Sequence, residues 1–183
     1  MRVPSLAMLV LTMLAITSLA PNLFAQQQKP PPCESAAVYK QFDFWVGDWD
    51  VFNPDGKQVG RNRIERIVGG CLLLENWSGG QGGSGKSINY YDPSVEKWKQ
   101  HWVDTAGRII TVEGNLEDGA MRFHGDLVRA DGTKVLYRMS FTPADNGSVH
   151  QFIETSQGHE QPWNVWFDGT YVRRGSGSES TKD

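Results

Sequence analysis

Tight-turn signals recur along this chain at intervals too short to hold a crossover helix. They are Pro54-Asp55-Gly56, Gly69-Gly70, a glycine-rich stretch at 79–85, Asp92-Pro93, Ala106-Gly107, Asp118-Gly119, Asp131-Gly132, Asn146-Gly147 and Gly158-His159. The Asp-Gly and Asn-Gly pairs suit hairpins because they tolerate positive φ. Between the turns lie short runs rich in Val, Ile, Tyr, Phe and Trp, which read as about ten strands. Parallel neighbours would need crossovers of a dozen or more residues, so the strands must be antiparallel. An open meander of this length would leave two vulnerable edges, and closure removes them. The pattern predicts an all-β fold: a single antiparallel up-and-down β-barrel of about ten strands, preceded by a short N-terminal helix. The helix is expected in "ESAAVYKQFDFW", residues 34–45, with Ser35 as its cap and Phe42 and Trp45 turned inward.

The ends of the chain read differently. Arg2 precedes an apolar run at 6–19, and Leu23-Phe24-Ala25 precedes a polar stretch. This is the layout of a secretory signal peptide, expected to span 1–25 with cleavage after Ala25. The run is interrupted by Thr12, Thr17 and Ser18 and is too short for a strong membrane span. A retained N-terminal anchor is the alternative. A secreted or periplasmic location is therefore expected, with no stable membrane span after cleavage. Residues 26–39 open on "QQQKPPP" and read as an extended linker, 40–174 as the barrel domain, and 175–183 as a disordered tail.

Cys33 and Cys71 are the only cysteines. An even count in an exported chain predicts a bridge between them, worth roughly 3 to 4 kcal/mol through loop closure. The alternative is a buried free thiol at Cys71 and an exposed one at Cys33. The net charge of −3 and the absence of a basic cluster argue against a nucleic-acid partner.

The segment 80–87 satisfies a phosphate-loop pattern: Gly80, four residues, then Gly85-Lys86-Ser87. Such a loop holds phosphates at the start of a helix. Here Ser87 is followed by "INYYDP", which is aromatic and soon meets proline. That is a strand and a turn, so the glycines are expected to form a mobile rim loop rather than a nucleotide site.

Strands alternate faces, which sorts interior from exterior. In "KWKQHWVD", Trp98, Gln100, Trp102 and Asp104 share one face while Lys97, Lys99 and His101 share the other. Lysines stay in water, so the first set is assigned to the interior. Leu73, Glu75 and Trp77 join it, as do Ser87, Asn89 and Tyr91. "KVLYRMSF" supplies either Arg138 or its neighbours Tyr137 and Met139, with Arg138 taken as the site candidate. "VHQFIE" supplies Gln151, with Glu154 nearby if the strand bulges. An interior filled only for stability is aliphatic. Polar groups among aromatic rings need partners or a ligand, so a small-molecule pocket is favoured over a fully packed core.

Gly47-Asp48-Trp49, after a short N-terminal segment, is a Gly-x-Trp at the head of the first strand. It resembles the calycin superfamily of lipocalin-like and fatty-acid-binding barrels, where such a Trp plugs one end. Together with "GGCLLLENWSG", "GKSINYYD", "KWKQHWVD" and "FDGTYVRR", the chain resembles a bacterial family of secreted lipocalin-like proteins, a domain of unknown function. The resemblance covers about residues 40–174 and implies a barrel with a pocket, but no activity. Carried onto this sequence, its motif positions are Asn62, Glu75, Trp77, Asn89, Tyr91, Trp98, Gln100, Trp102 and Asp104. A haem-binding relative, nitrobindin, shares the Gly-x-Trp start. There further glycines follow the Trp, whereas here Asp50, Val51 and Phe52 do. Haem also needs an inward histidine. His101 is read as outward, and His124, His150 and His159 have no clear partner. No two histidines stand at a metal-ligand spacing, so no cofactor or metal is expected.

Three function classes stay open. The first is an exported barrel binding a small, partly aromatic or polar molecule through Asn62, Glu75, Trp77, Asn89, Tyr91, Trp98, Gln100, Trp102, Arg138 and Gln151. The second is an enzyme using the same interior with Glu75 as acid or base. The third is a protein-interaction module.

Overall fold

A computed structural model describes residues 32–175. The expected signal peptide, residues 26–31 of the expected linker and nearly all of the C-terminal tail lie outside the described residues. Ten antiparallel strands close into one barrel, with each strand paired to its neighbours in sequence and β1 paired to β10. The strands are β1 Gly47–Phe52, β2 Gln58–Ile67, β3 Leu72–Gly79, β4 Ser84–Asp92, β5 Lys97–Asp104, β6 Ile109–Glu117, β7 Ala120–Val128, β8 Lys134–Pro143, β9 Val149–Ser156 and β10 Asn164–Arg173. Every predicted turn falls at a connection between two of these strands, with Gly79, Ser84, Gly85 and Asp92 belonging to the strand ends beside it. The barrel closes where Trp49, Asp50, Val51 and Phe52 oppose Arg173, Val172, Tyr171 and Thr170.

The phosphate-loop pattern resolves as a hairpin. Gly85, Lys86 and Ser87 lie inside β4, and Lys86 points outward and donates to the side-chain amide oxygen of Asn76 on β3. No helix follows the glycines, so no helix N-terminus is there to hold phosphate.

The N-terminal segment differs in detail from its expectation. A short helix α1, Pro32–Ser35, is followed by two 3-10 turns, Ala37–Lys40 and Asp43–Trp45. Ser35 ends α1 rather than capping it, and its hydroxyl donates back to the Pro32 carbonyl at 3.4 Å. Phe42 and Trp45 do turn inward and are fully buried. Trp45 stacks on Phe42 at 4.9 Å and meets Phe141 at 4.6 Å. These rings, with Trp49, Trp98 and Phe123, fill one end of the barrel. The Trp49 indole N–H donates to the Trp45 carbonyl at 2.8 Å, and the Arg173 guanidinium covers the Trp49 ring at 4.4 Å.

Cys33 and Cys71 form a disulfide, which fastens α1 to the β2–β3 turn. Arg66 on β2 reinforces that anchor. It donates to the Gly70 carbonyl at 2.8 Å and to the Tyr39 carbonyl at 3.2 Å, and it pairs with Asp43. The plugged end is thus held covalently and by charge. The glycine loop after β3 and the turns after β1, β5, β7 and β9 ring the opposite end. Among the described residues, no helix is long and apolar enough to cross a membrane.

Candidate functional site

Polar side chains form one connected layer across the middle of the barrel. Gln100 on β5 donates from Nε2 to Asn89 Oδ1 at 2.8 Å and to Ser87 Oγ at 3.3 Å. Asn89 donates from Nδ2 to Ser87 Oγ at 2.8 Å and to the Leu73 carbonyl at 3.3 Å. Ser87 passes its own hydrogen to Glu75 Oε2 at 2.6 Å. From the other side, Asn62 Nδ2 donates to Glu75 Oε1 at 2.7 Å and to the Tyr171 hydroxyl at 3.3 Å. Tyr171 in turn donates to Gln151 Oε1 at 2.7 Å. One string of donors, from Gln100 through Asn89 and Ser87, thus ends on the carboxylate, while Asn62 donates both to it and to Tyr171, whose own bond leads away to Gln151. Strand alternation places all of these groups inside, and none exceeds 8% exposure.

Glu75 is 4% exposed, and both of its partners are neutral. Burial pushes its carboxyl up to about 7, while the hydrogen bonds from Ser87 and Asn62 pull the other way. Desolvation outweighs them because neutral donors replace only part of the lost hydration. Tyr137 and Tyr171 are pushed well above the ordinary tyrosine range by burial first and by the Glu75 charge second.

Between this layer and the open end lies a cavity of about 190 Å³. That is room for roughly six waters, and it is smaller than a drug-sized site. Glu75, Gln100, Gln151, Tyr137 and Tyr171 face it at the polar layer, and Ile110 and Ile153 stand at its walls. Trp77, Trp102, Trp166 and Phe167 surround it with rings, and Asp104 and Arg108 complete the lining. Asp104 Oδ2 accepts from Arg108 Nε at 2.7 Å and from the Trp102 indole at 3.3 Å. Its other oxygen accepts from the backbone N–H groups of Ala106 and Arg108 at 3.0 and 3.1 Å. Asp104 is therefore occupied in holding the β5–β6 turn, Trp102 and Arg108 together.

Glycines explain how bulky rings fit here. A Cβ on Gly85 would lie 2.2 Å from the Trp102 ring, and one on Gly60 would lie 2.5 Å from the Trp77 ring. Each indole rests on bare backbone of the adjacent strand, so the glycine of the phosphate-loop pattern serves as a slot for Trp102. Gly85→Ala is expected to displace that indole and to cost about 1 to 2 kcal/mol by overpacking. Tryptophan fluorescence and a denaturant midpoint read both effects; an unchanged spectrum and midpoint would refute the slot.

The structure brings Glu75, Trp77, Gln100, Trp102 and Gln151 to the cavity, with Asp104 at its lining. Asn62 and Asn89 stand behind them in the hydrogen-bonded layer. Tyr91 and Trp98 lie at the plugged end instead. Trp98 is buried against Phe42 and donates to Gln41 Oε1 at 3.1 Å, while Tyr91 packs edge-on to Tyr39. The register of β5 is as expected, with Trp98 and Gln100 buried and Lys97 and Lys99 on the outer face.

Arg138 requires correction. It stands on the outer face, bonded to Glu154 Oε2 at 2.7 Å and stacked over Trp163 at 4.2 Å. Alternation along β8 sends its neighbours Tyr137 and Met139 inward, and Glu154 does not join Gln151. His101 faces outward and stacks on Tyr90. His150, which lacked an evident partner in the sequence, meets Asp168 Oδ1 at 2.7 Å. No group of three or more His, Cys, Asp or Glu suited to a metal occurs among the described residues.

Arg108, Ile110, Tyr137, Ile153, Trp166, Phe167 and Tyr171 were not among the site residues expected from the sequence. Tyr137 was legible as an alternative to Arg138. Trp166 and Phe167 were not, because an irregularity between Val165 and Phe167 breaks the alternation of β10 and lets two consecutive rings reach the cavity. Against known proteins, the chain matches no family model and no curated protein. The fold is a closed ten-stranded antiparallel barrel, consistent with the calycin architecture and able to enclose a small molecule.

Proposed function

We propose that this chain is an exported binding protein of a calycin-type, secreted lipocalin-like family, and that it holds a small, partly aromatic or polar molecule in the barrel. The observation that carries this reading is the ring-walled cavity over a buried, hydrogen-bonded carboxylate. A core built for stability alone has no reason to bury Glu75 without a counter-charge. The ligand enters between Trp77, Trp102, Trp166 and Phe167, and its polar end meets Glu75, Gln100 and Gln151. Asn62, Ser87 and Asn89 fix the carboxylate and amide from behind.

Mass spectrometry of protein incubated with metabolite extract tests this reading. Retention of a small molecule, lost in Gln100→Leu and kept in Lys99→Leu, is the expected result. Lys99 pairs with Asp92 on the outer face, so its replacement is expected to leave the denaturant midpoint nearly unchanged. Equal loss in both variants would count against the pocket.

One observation favours a second reading, catalysis. A carboxyl titrating near neutrality inside a cavity suits a general acid or base. Recovery of a chemically altered molecule from the same incubation, abolished in Glu75→Gln, would establish it over simple binding.

A further inference from the structure

Resting on the reading of the cavity as a ligand site, we infer that its ligand is a small flat organic cation, an amidine or a protonated amine on an unsaturated frame, whose N–H groups meet Glu75. The charge balance of the cavity leads there. Its lining contains two carboxylates and one guanidinium. Asp104 and Arg108 are bonded to each other, which leaves Glu75 as the one charge in the lining with no opposite charge beside it.

Free hydrogen-bonding capacity at the polar layer points the same way. Gln100 spends its amide N–H groups on Asn89 and Ser87, and its carbonyl oxygen accepts no hydrogen bond from the described residues. Glu75 and Gln100 therefore both offer acceptors to the cavity, and a carboxylate takes its strongest bonds from charged N–H donors. An anionic ligand would meet Glu75 with repulsion. The rings of Trp77, Trp102 and Phe167 complete the match, since aromatic faces attract cations and stack on flat frames, while the Trp166 ring already carries the Arg108 guanidinium at 5.2 Å. The modest volume limits the ligand to about one ring with a short substituent.

Benzamidine, benzamide and benzoate share one shape and differ in charge, so they make the test. Calorimetric titration of the barrel near pH 8 should give benzamidine at least about tenfold tighter binding than benzamide, with benzoate weakest. Benzamidine keeps its charge across the neutral range, whereas Glu75 gains a proton as pH falls through about 7. Its affinity for the unaltered protein should then fall about tenfold from pH 8 to pH 6, since the ligand needs the ionised carboxylate. The other titratable groups facing Glu75 are Tyr137 and Tyr171, which stay neutral in this range, and the Arg108–Asp104 pair. Glu75→Gln should erase both the preference and the pH dependence.

Benzamide or benzoate binding as tightly as benzamidine overturns the cation assignment and leaves the binding barrel standing. Failure of all three to bind also overturns the assignment, and retention from metabolite extract then decides the binding reading separately. Tight benzamidine binding without pH dependence shows that the charge is met elsewhere, and overturns the role of Glu75.

Discussion

Unfolding the ligand-free protein will require less free energy at pH 8 than at pH 5, and Glu75→Gln will remove most of that difference. The sign follows from where the proton is held. Glu75 in the folded barrel keeps its proton up to about pH 7, whereas in the unfolded chain it ionises near the ordinary value of 4.5. Between those two values the folded state binds more protons, so stability falls as pH rises. The full effect across that window is about 3 kcal/mol, present below the unfolded value and lost above the folded one. Acids held by surface hydrogen bonds behave oppositely and lie elsewhere; Asp92, lowered to about 2 by Ser94 and Lys99, titrates well below the Glu75 window. Guanidinium unfolding of both proteins at several pH values checks this. Parallel curves for the two proteins would mean that Glu75 is not desolvated as described. A stabilised Glu75→Gln protein that no longer binds benzamidine would show that the barrel gives up stability to keep a charge at its ligand site.

Cys71→Ser, or reduction of the unaltered protein, is expected to lower the unfolding free energy by about 4 kcal/mol in the loop-closure account. The bridge spans 38 residues and so restrains a long piece of the unfolded chain. That piece includes Phe42 and Trp45, the rings that plug the barrel. Without the bridge, Arg66 still holds the segment through Tyr39 and Asp43, so the native fold should persist at a lower denaturant midpoint. The cavity lies toward the opposite end, so ligand affinity of the folded protein should not change. A midpoint shift worth less than about 1 kcal/mol would refute the restraint. A loss of affinity in the folded variant would show that the plug and the cavity communicate.

The sequence by itself determined the number of strands, their antiparallel order and the barrel's closure. Those properties are local: an Asp-Gly or Asn-Gly turn, the alternation of Lys99 with Gln100, and the lack of room for a crossover helix act over a few residues each. The same alternation placed Glu75, Trp77, Gln100, Trp102 and Gln151 inside. Depth along the barrel axis was not legible in that way. Trp98 and Trp102 share a face of β5, yet one packs into the plug and the other lines the cavity, because strand tilt and the N-terminal segment decide how far each position lies from the filled end. Arg138 was misassigned because an eight-residue run fits either register until its neighbours are known, and one step reverses every side chain. The irregularity in β10 that presents both Trp166 and Phe167 leaves no mark in composition. The charge state of Glu75 likewise belongs to the tertiary structure alone: a glutamate becomes hard to ionise only when the neighbouring strands bring Asn62 and Ser87, and remote ones Tyr137 and Tyr171, around it and no cation with them.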